Sequence, residues 1–569
     1  MTDYLKTYVL YVILFLLGGT TQAGEPLLVV NQAGYLPTAE KFVYAVGPAD
    51  SFMVHDATDG AIVYRGELTS SAGVDESTGL VINRGDFGPV NITGMYYITA
   101  TDGSATGKFR IAGYVYSDVF RKALKGFYFQ RCGTALEDPA AEVYKHSACH
   151  QDDATPHVSL RSDTHIESTG GWHDAGDYGK YMVPAGITVG TLLMAYDYFP
   201  DEFARDDIGI PESGNGIPDI LDEIRCELEW TITMQRSDGG VYHKLTTQRF
   251  TGMVMPEPQD SLRYIYEVAS AATADFAALT ARAARTLAPF DQAFSERLQQ
   301  SAIRAWNFLE ANPDIVPRGG FHNPAGTNTG EYGDRDDSDE RIWAAAELYE
   351  TTGGKRYHRY FLDHFDDVKP MANNFTWNQV GTLGHLTYLW TSRQAADPEV
   401  KATLQSALRE QCDAVIEIIN RSGFRTAIAP GEFNWGSNSL AMNRAMLLLM
   451  GYETFDDSAY YNGALDQLNY ILGTNAHEMT FLTGVGERSP MHIHHRQSAA
   501  DGIVQPVPGL LAGGPNEDRQ DRVLMERFTE DTPPALCYAD SLDSYASNEI
   551  AINWNAPLVF VAGYFSSPK

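Results

Sequence analysis

The sequence predicts a mainly α-helical protein preceded by a small all-β sandwich, and three observations carry that reading. Residues 27 to about 112 are short β-rich runs broken by turn residues. Beyond about Tyr114 the apolar residues recur every three or four positions, and loops rich in Gly, Asn, Asp, Pro and His separate those stretches. At 569 residues the chain exceeds one ordinary domain of roughly 100 to 200 residues, so at least two units are expected.

The amino end is a separate element. Tyr8 to Leu17 (YVLYVILFLL) is a ten-residue apolar run after Lys6, followed by Gly18, Gly19 and Thr21-Gln22-Ala23. It is too short to span a bilayer comfortably and has the form of an export signal over residues 1–23, cleaved after Ala23; an uncleaved anchor or a buried strand is the alternative. No later segment is long and apolar enough for a transmembrane helix, so a secreted or periplasmic protein is expected, with no membrane span once the signal is removed. Export permits disulfides. Yet the five cysteines, Cys132, Cys149, Cys226, Cys412 and Cys537, are odd in number and scattered, so at least one stays unpaired or binds metal. Cys226 and Cys412 lie in apolar-periodic stretches and read as core.

Residues 24–113 are assigned to the sandwich. Seven runs (LLVV, KFVYAV, FMVHD, AIVYRGEL, GLVI, MYYITA and KFRIAG) fit the immunoglobulin type, without its Cys-Trp-Cys core. Residues 114–569 are assigned to the helical domain. Ile217, Leu221, Ile224, Leu228 and Ile232 mark one helix face. Similar periodicity runs through SAATADFAALTARAARTL, SERLQQSAIRAWNFLEA, DERIWAAAELYETTGG, VKATLQSALREQCDAVIEII and SLAMNRAMLLLMGYETF. The loops between them hold the candidate chemistry.

Asp and Glu number 74 against 42 Lys and Arg, a net charge of −32, so nucleic acid and anionic lipid surfaces are poor partners. The 31 Tyr, 26 Phe and 8 Trp suit stacking on neutral sugar rings as well as core packing.

Three loops stand out. In Gly170-Gly171-Trp172-His173-Asp174-Ala175-Gly176-Asp177-Tyr178-Gly179, two aspartates three apart can face one water if the segment curls into a helical first turn. The same spacing fits a solvated or calcium-binding acidic turn. Near the carboxyl end, Glu549 lies amid Tyr538, Asp540, Tyr545 and Trp554, where desolvation could keep it protonated as a general acid; a capping or exposed Glu is the alternative. The third loop runs from Thr483-Gly484-Val485-Gly486 through Ser489-Pro490 to His492-Ile493-His494-His495-Arg496, which suits a metal or the hydroxyls of a sugar.

Together these segments resemble the inverting β-glucanases of glycoside hydrolase family 9, in the subgroup with an amino-terminal immunoglobulin-like module. Tyr538, Asp540, Tyr545, Glu549, Ala551, Asn555 and Ala556 match one family signature. Gly484 or Gly486, Ser489 and His494-x-Arg496 match the other, and VNQAGYLP (Val30 to Pro37) resembles the start of the subgroup's module. The resemblance implies an (α/α)6 barrel with the cleft on loops at one end. It implies Asp177 as general base, Asp174 holding the nucleophilic water and Glu549 as general acid. His494 and Arg496 would bind glucosyl hydroxyls, with Trp377, Trp435 and Tyr545 as stacking platforms. The substrate is expected to be a cellulose-like or mixed-linkage β-glucan, cut internally and with no organic cofactor. An exo-acting β-glucosidase or β-glucosaminidase of oligosaccharides is the alternative on the same scaffold, and a non-catalytic glycan-binding protein is the alternative of another class.

Metal expectations follow. By the resemblance, Cys132, Cys149, His150 and His173 hold a structural zinc beside the catalytic loop, against the alternative of a Cys132–Cys149 disulfide. The acidic run Glu331 to Glu340 opens a predicted helix, and family members often bind calcium there, which points to Asp339 and Glu340; a solvated helix start is the alternative.

Overall fold

The amino-terminal runs pair as two four-stranded antiparallel sheets in a computed structural model that describes residues 27–567 except 153, 161–164 and 258–260. The export signal read over residues 1–23 lies outside the described residues. Strands β1 (Leu27–Val29), β2 (Phe42–Val46), β3 (Ser51–Asp56), β4 (Ile62–Glu67), β5 (Thr69–Val74), β6 (Val81–Asp86), β7 (Gly94–Ala100) and β8 (Phe109–Ile111) order as β1-β2-β6-β5 and β4-β3-β7-β8. Alternate residues such as Phe52, Val54, Ile98, Phe109 and Ile111 fill the space between the sheets. Tyr35 meets Phe87 and Phe109 edge-on at 5.1 and 5.5 Å. The sequence announces seven strands and misses β5. Its TSSAGV has no apolar alternation, because β5 is an edge strand paired irregularly with β6 alone.

The sandwich is fastened to the rest of the chain by polar groups, of which Asn31 is buried and Gln32 half-buried. Asn31 Nδ2 donates to Asn469 Oδ1 at 2.7 Å, and Gln32 Oε1 accepts from the backbone N–H groups of Glu487 and Arg488 at 2.9 and 3.0 Å. Asp75, also buried, accepts from the Gly423 N–H at 2.8 Å.

Among the described residues, twelve helices of nine or more residues follow. They are α1 (Ser117–Phe129), α2 (Met182–Tyr198), α3 (Asp219–Thr233), α4 (Ser270–Leu287), α5 (Gln292–Ala311), α6 (Ser338–Thr352), α7 (Lys355–His364), α8 (Gly381–Leu389), α9 (Pro398–Arg421), α10 (Ser437–Phe455), α11 (Ser458–Ile471) and α12 (Ile552–Tyr564). The even-numbered helices are buried nearly all round, whereas α9 carries a single buried stripe of Leu404, Leu408, Cys412, Val415 and Ile419. Helix α2 packs on α4, α4 on α6, α6 on α8, α10 on α12 and α12 back on α2, while α9 touches both α8 and α10. This is an (α/α)6 barrel of six inner and six outer helices. Arg282 of α4 locks three inner helices together by binding Asp197 of α2 and Glu347 of α6, both at 2.9 Å, and its burial makes each partner necessary to the other two.

Two local expectations change. Ile217 precedes α3, because Pro218 is the cap residue and the helix opens at Asp219. Cys226 is half-buried where a core position is expected, whereas Cys412 is fully buried.

Candidate active site

The loops that lead into α2, α6, α8, α10 and α12 gather at one end of the barrel, around a cleft of about 1140 Å³. Asp177 stands just before α2, Tyr332 before α6, Trp377 before α8, Trp435 before α10 and Glu549 before α12, and all five line that cleft.

Backbone hydrogen bonds bring the distant segments together. The N–H of Ile552 donates to the Asp174 carbonyl at 2.8 Å, that of His494 to the Asn548 carbonyl at 2.9 Å, and that of Arg496 to the Gly176 carbonyl at 3.1 Å. Gly176 sits where these segments touch. A Cβ there would lie 1.9 Å from the His494 carbonyl oxygen and 3.2 Å from Glu549 Oε1, so only glycine allows the approach. The segment 173–179 is an irregular loop closed by an N–H of Asp174 bonded to the Gly179 carbonyl at 2.9 Å, not the helical turn that the aspartate spacing suggests. A helical turn would leave no room for the crossing at Gly176.

Each catalytic candidate has its own environment. Asp174 is buried; Tyr332 Oη donates to its Oδ2 at 2.7 Å and its Oδ1 has no protein partner. Burial, and then the neighbouring Asp177 charge, push its carboxyl well above the ordinary carboxylate range, against the Tyr332 hydrogen bond. Asp177 Oδ2 accepts from Tyr181 Oη at 3.1 Å and from the Gly179 N–H at 3.2 Å, which leaves Oδ1 for a water. Glu549 lines the same cleft, its Oε1 close to Gly176. Burial, then Asp177, raise its carboxyl well above the usual range, while Arg496 and the Gly176 backbone pull the other way.

The expected sugar-binding residues, His494, Arg496, Trp377, Trp435 and Tyr545, all line the same cleft. His494 Nδ1 donates to the Leu542 carbonyl at 2.6 Å, which leaves Nε2 for a ligand. Arg496 spends Nη1 on the Gly176 carbonyl (2.6 Å) and Nε on the Thr251 carbonyl (3.1 Å), so it fastens the loops as well as lining the cleft. Trp435 and Tyr545 are 42 % and 39 % exposed, with ring centroids 5.5 Å apart, and form an open aromatic wall. Trp377 is half-buried and packs on both the core and Tyr332. The three close histidines do not gather on a metal: His492 is exposed, and His495 is buried and bonded to Ser498 and Gln130.

Cys132, Cys149, His150 and His173 do converge, with one ligand atom of each within 4.8 Å of all the others. Both sulfurs are free thiols facing imidazoles, at 3.5 Å (Cys132 to His150) and 3.9 Å (Cys149 to His173), so the disulfide alternative is not what this pair forms. Two thiolates and two imidazoles at these spacings fit a closed tetrahedral site, whose ligand-to-ligand edges are roughly 3.3 to 3.8 Å. Gln130, at the end of α1, joins this cluster to the catalytic loop through its Nε2, which donates to the His173 and Ala175 carbonyls at 3.1 and 3.0 Å.

The acidic run is divided. Asp339 Oδ2 caps α8 through the N–H groups of Val380 and Gly381, whereas both oxygens of Glu340 are buried without a donor. Asp275 of α4 has the same orphaned state and interacts electrostatically with Glu340 and Asp339, a contribution from α4 that no sequence motif marks. Orphaned carboxylate oxygens are the donor set of a hard cation. Tyr181 and Tyr332, which hold the two aspartates, were also missed. Tyr181 follows the aspartate motif directly, and Tyr332 lies in the acidic run, where its neighbours drew the reading toward metal.

The family model described as Glycosyl hydrolase family 9 matches residues 116–562, and that described as Cellulase N-terminal ig-like domain matches residues 23–104. The chain is 36 % identical over 547 residues to Endoglucanase D of Acetivibrio thermocellus, covering 95 % of this chain and 84 % of that protein. A metagenome-derived glycoside hydrolase family 9 endoglucanase superposes with a TM-score of 0.88 at 38 % identity, over 95 % of this chain and 99 % of that one. A Zn-binding triple mutant of the family 9 endoglucanase J30 superposes with the same score at 34 % identity, over 94 % of this chain and all of the other.

Proposed function

The chain belongs to glycosyl hydrolase family 9, and from that premise we propose an endo-β-1,4-glucanase that inverts the anomeric centre of cellulose-like or mixed-linkage β-glucans. Glu549 donates its proton to the glycosidic oxygen as that bond breaks. A water held by Asp174 and Asp177 attacks the anomeric carbon from the opposite face, and Asp177 takes its proton. Solvent then returns a proton to Glu549 and removes one from Asp177. The observation that carries this reading is the convergence at Gly176, which sets an acid with a raised pKa against two aspartates across one cleft. Asp174, bonded to Tyr332 through one carboxylate oxygen, is read as orienting the water, and Asp177 as the base.

His494 and the Trp435–Tyr545 wall are read as sugar contacts, with Arg496 and Trp377 beside them. Cys132, Cys149, His150 and His173 would hold Zn2+, which supplies a fixed cross-link beside the base loop and no reaction chemistry. Asp339 and Glu340, joined by Asp275, would hold Ca2+, and chelation should then lower the melting temperature. The module boundary is read between residues 113 and 114, and the gap between β8 and α1 supports that reading. Export to the periplasm or medium rests on the apolar run Tyr8 to Leu17, and amino-terminal sequencing of the recovered protein should begin after Ala23. Among the described residues no helix is long and apolar enough to cross a membrane.

The test is a proton NMR time course on cellopentaose. Initial release of the α-anomer by internal cleavage is expected; initial β-anomer would overturn the inverting assignment of Asp177 and Glu549.

A further inference from the structure

We propose that Phe250 is a second sugar-stacking station of the cleft, on the flank of the catalytic loop away from the Trp435–Tyr545 wall, and that it gives the enzyme its preference for longer chains. This rests on the glucanase reading and adds to it a residue that chooses substrate length.

Phe250 is 49 % exposed and lines the cleft. Exposure on a loose loop would mean little, but this loop is pinned. Thr247 Oγ1 donates to the Arg249 carbonyl at 2.6 Å, Arg496 Nε to the Thr251 carbonyl at 3.1 Å, Tyr178 Oη to the Val254 carbonyl at 2.6 Å, and the Asn328 N–H to the Gln248 carbonyl at 2.8 Å. A backbone held in place before the ligand arrives leaves only the side-chain torsions of the ring to be ordered on stacking.

Its position follows from a chain of contacts. Trp435 meets Tyr545 at 5.5 Å and Tyr545 meets His494 at 6.0 Å. The His494 carbonyl abuts Gly176, the Gly176 carbonyl accepts from Arg496, and the Arg496 guanidinium lies 5.6 Å from the Phe250 ring. The path from one aromatic station to the other therefore passes through the loop that joins base and acid. A β-linked glucan lying across that loop meets an aromatic face on either flank, and the apolar C–H face of a pyranose is what such a ring accepts. A chain too short to reach both stations loses one of them.

Cello-oligosaccharides of three to six units, given to wild type, F250A, F250L and F250W, test this. In F250A and F250L the ratio of kcat/KM for cellohexaose to that for cellotriose is expected to fall about tenfold, with the favoured cleavage position moving along the chain. F250W should restore both. F250L keeps an apolar side chain at the loop and so separates loss of the ring from loss of the fold. Cleavage with an unchanged ratio in F250A and F250L would overturn this proposal alone. No cleavage by the wild type would overturn the glucanase reading and this proposal with it.

Discussion

The two walls of the cleft are built differently. The base wall is held by side chains: Tyr332 on Asp174, Tyr181 on Asp177, and a four-residue Cys and His cluster behind them, joined through Gln130. The acid wall is held by main chain at Glu549 itself, beside an Asn548 side chain bonded to Tyr538, His492 and Asp540. Glu549 lies between the N–H of Gly513, donated to its carbonyl at 2.8 Å, and the turn that opens α12. Where side chains do the positioning, single substitutions should be graded in effect; where backbone does it, only the reacting residue itself should matter greatly.

The largest expected effects come from the reacting groups. E549Q should lose about 10³-fold in kcat on cellopentaose but far less on a dinitrophenyl cellobioside, whose leaving group needs no proton, whereas D177N should lose about 10³-fold on both. Equal losses on the two substrates in E549Q would remove its assignment as acid. The pH profile separates the walls again. The acid must be protonated, and burial raises the Glu549 pKa, so activity should persist above the ordinary carboxyl range and fall as pH rises through that value. Kinetics from pH 4 to 9 would show the descending limb, and a limb at the free-carboxyl value would contradict the burial argument.

The Cys and His cluster comes next. C149S should lose the bound metal and, with it, about 10- to 100-fold in kcat, while the alkaline limb stays in place because the acid wall is untouched. Active protein without zinc after dialysis would break the comparison at its base side. Y332F removes one hydrogen bond to Asp174 and should cost roughly tenfold or less, the scale of about 0.5–1.5 kcal/mol for a single hydrogen bond. Steady-state kinetics with a melting curve would tell a positioning loss from an unfolding one. The smallest effect on catalysis is expected from D75A, which unties the β module from Gly423: about 1–2 kcal/mol of stability lost in urea or heat, with kcat unaltered. A change in substrate range would instead give the module a part in binding.

Much of this was legible before the structure. The helical stretch 400–419 announces itself because its buried face, Leu404, Leu408, Cys412, Val415 and Ile419, repeats with helical period, and Asp174, Asp177 and Glu549 stand out through the family resemblance that their motifs carry together. What stayed hidden depends on three-dimensional neighbours. Asp275 reads as one polar residue on an alanine-rich helix, and nothing local says that Glu340 faces it. Tyr181 and Tyr332 are ordinary tyrosines until folding sets their hydroxyls on the aspartates. The suggested helical turn at Asp174 failed because spacing is a local property, whereas the loop's shape is dictated by the strand of chain that crosses at Gly176.

That crossing also acts as a gauge. The gap between base and acid is set by main-chain atoms in contact, which have no rotamers to adjust, so the stereochemical outcome is written into loop length rather than into side-chain choice. One residue added or removed between Trp172 and Gly179 would put the aspartates out of step with Glu549 even with every catalytic group intact. Engineering toward a retaining glycosidase, which needs its two carboxyls only about 5 Å apart, would have to rebuild this junction before any catalytic residue is exchanged.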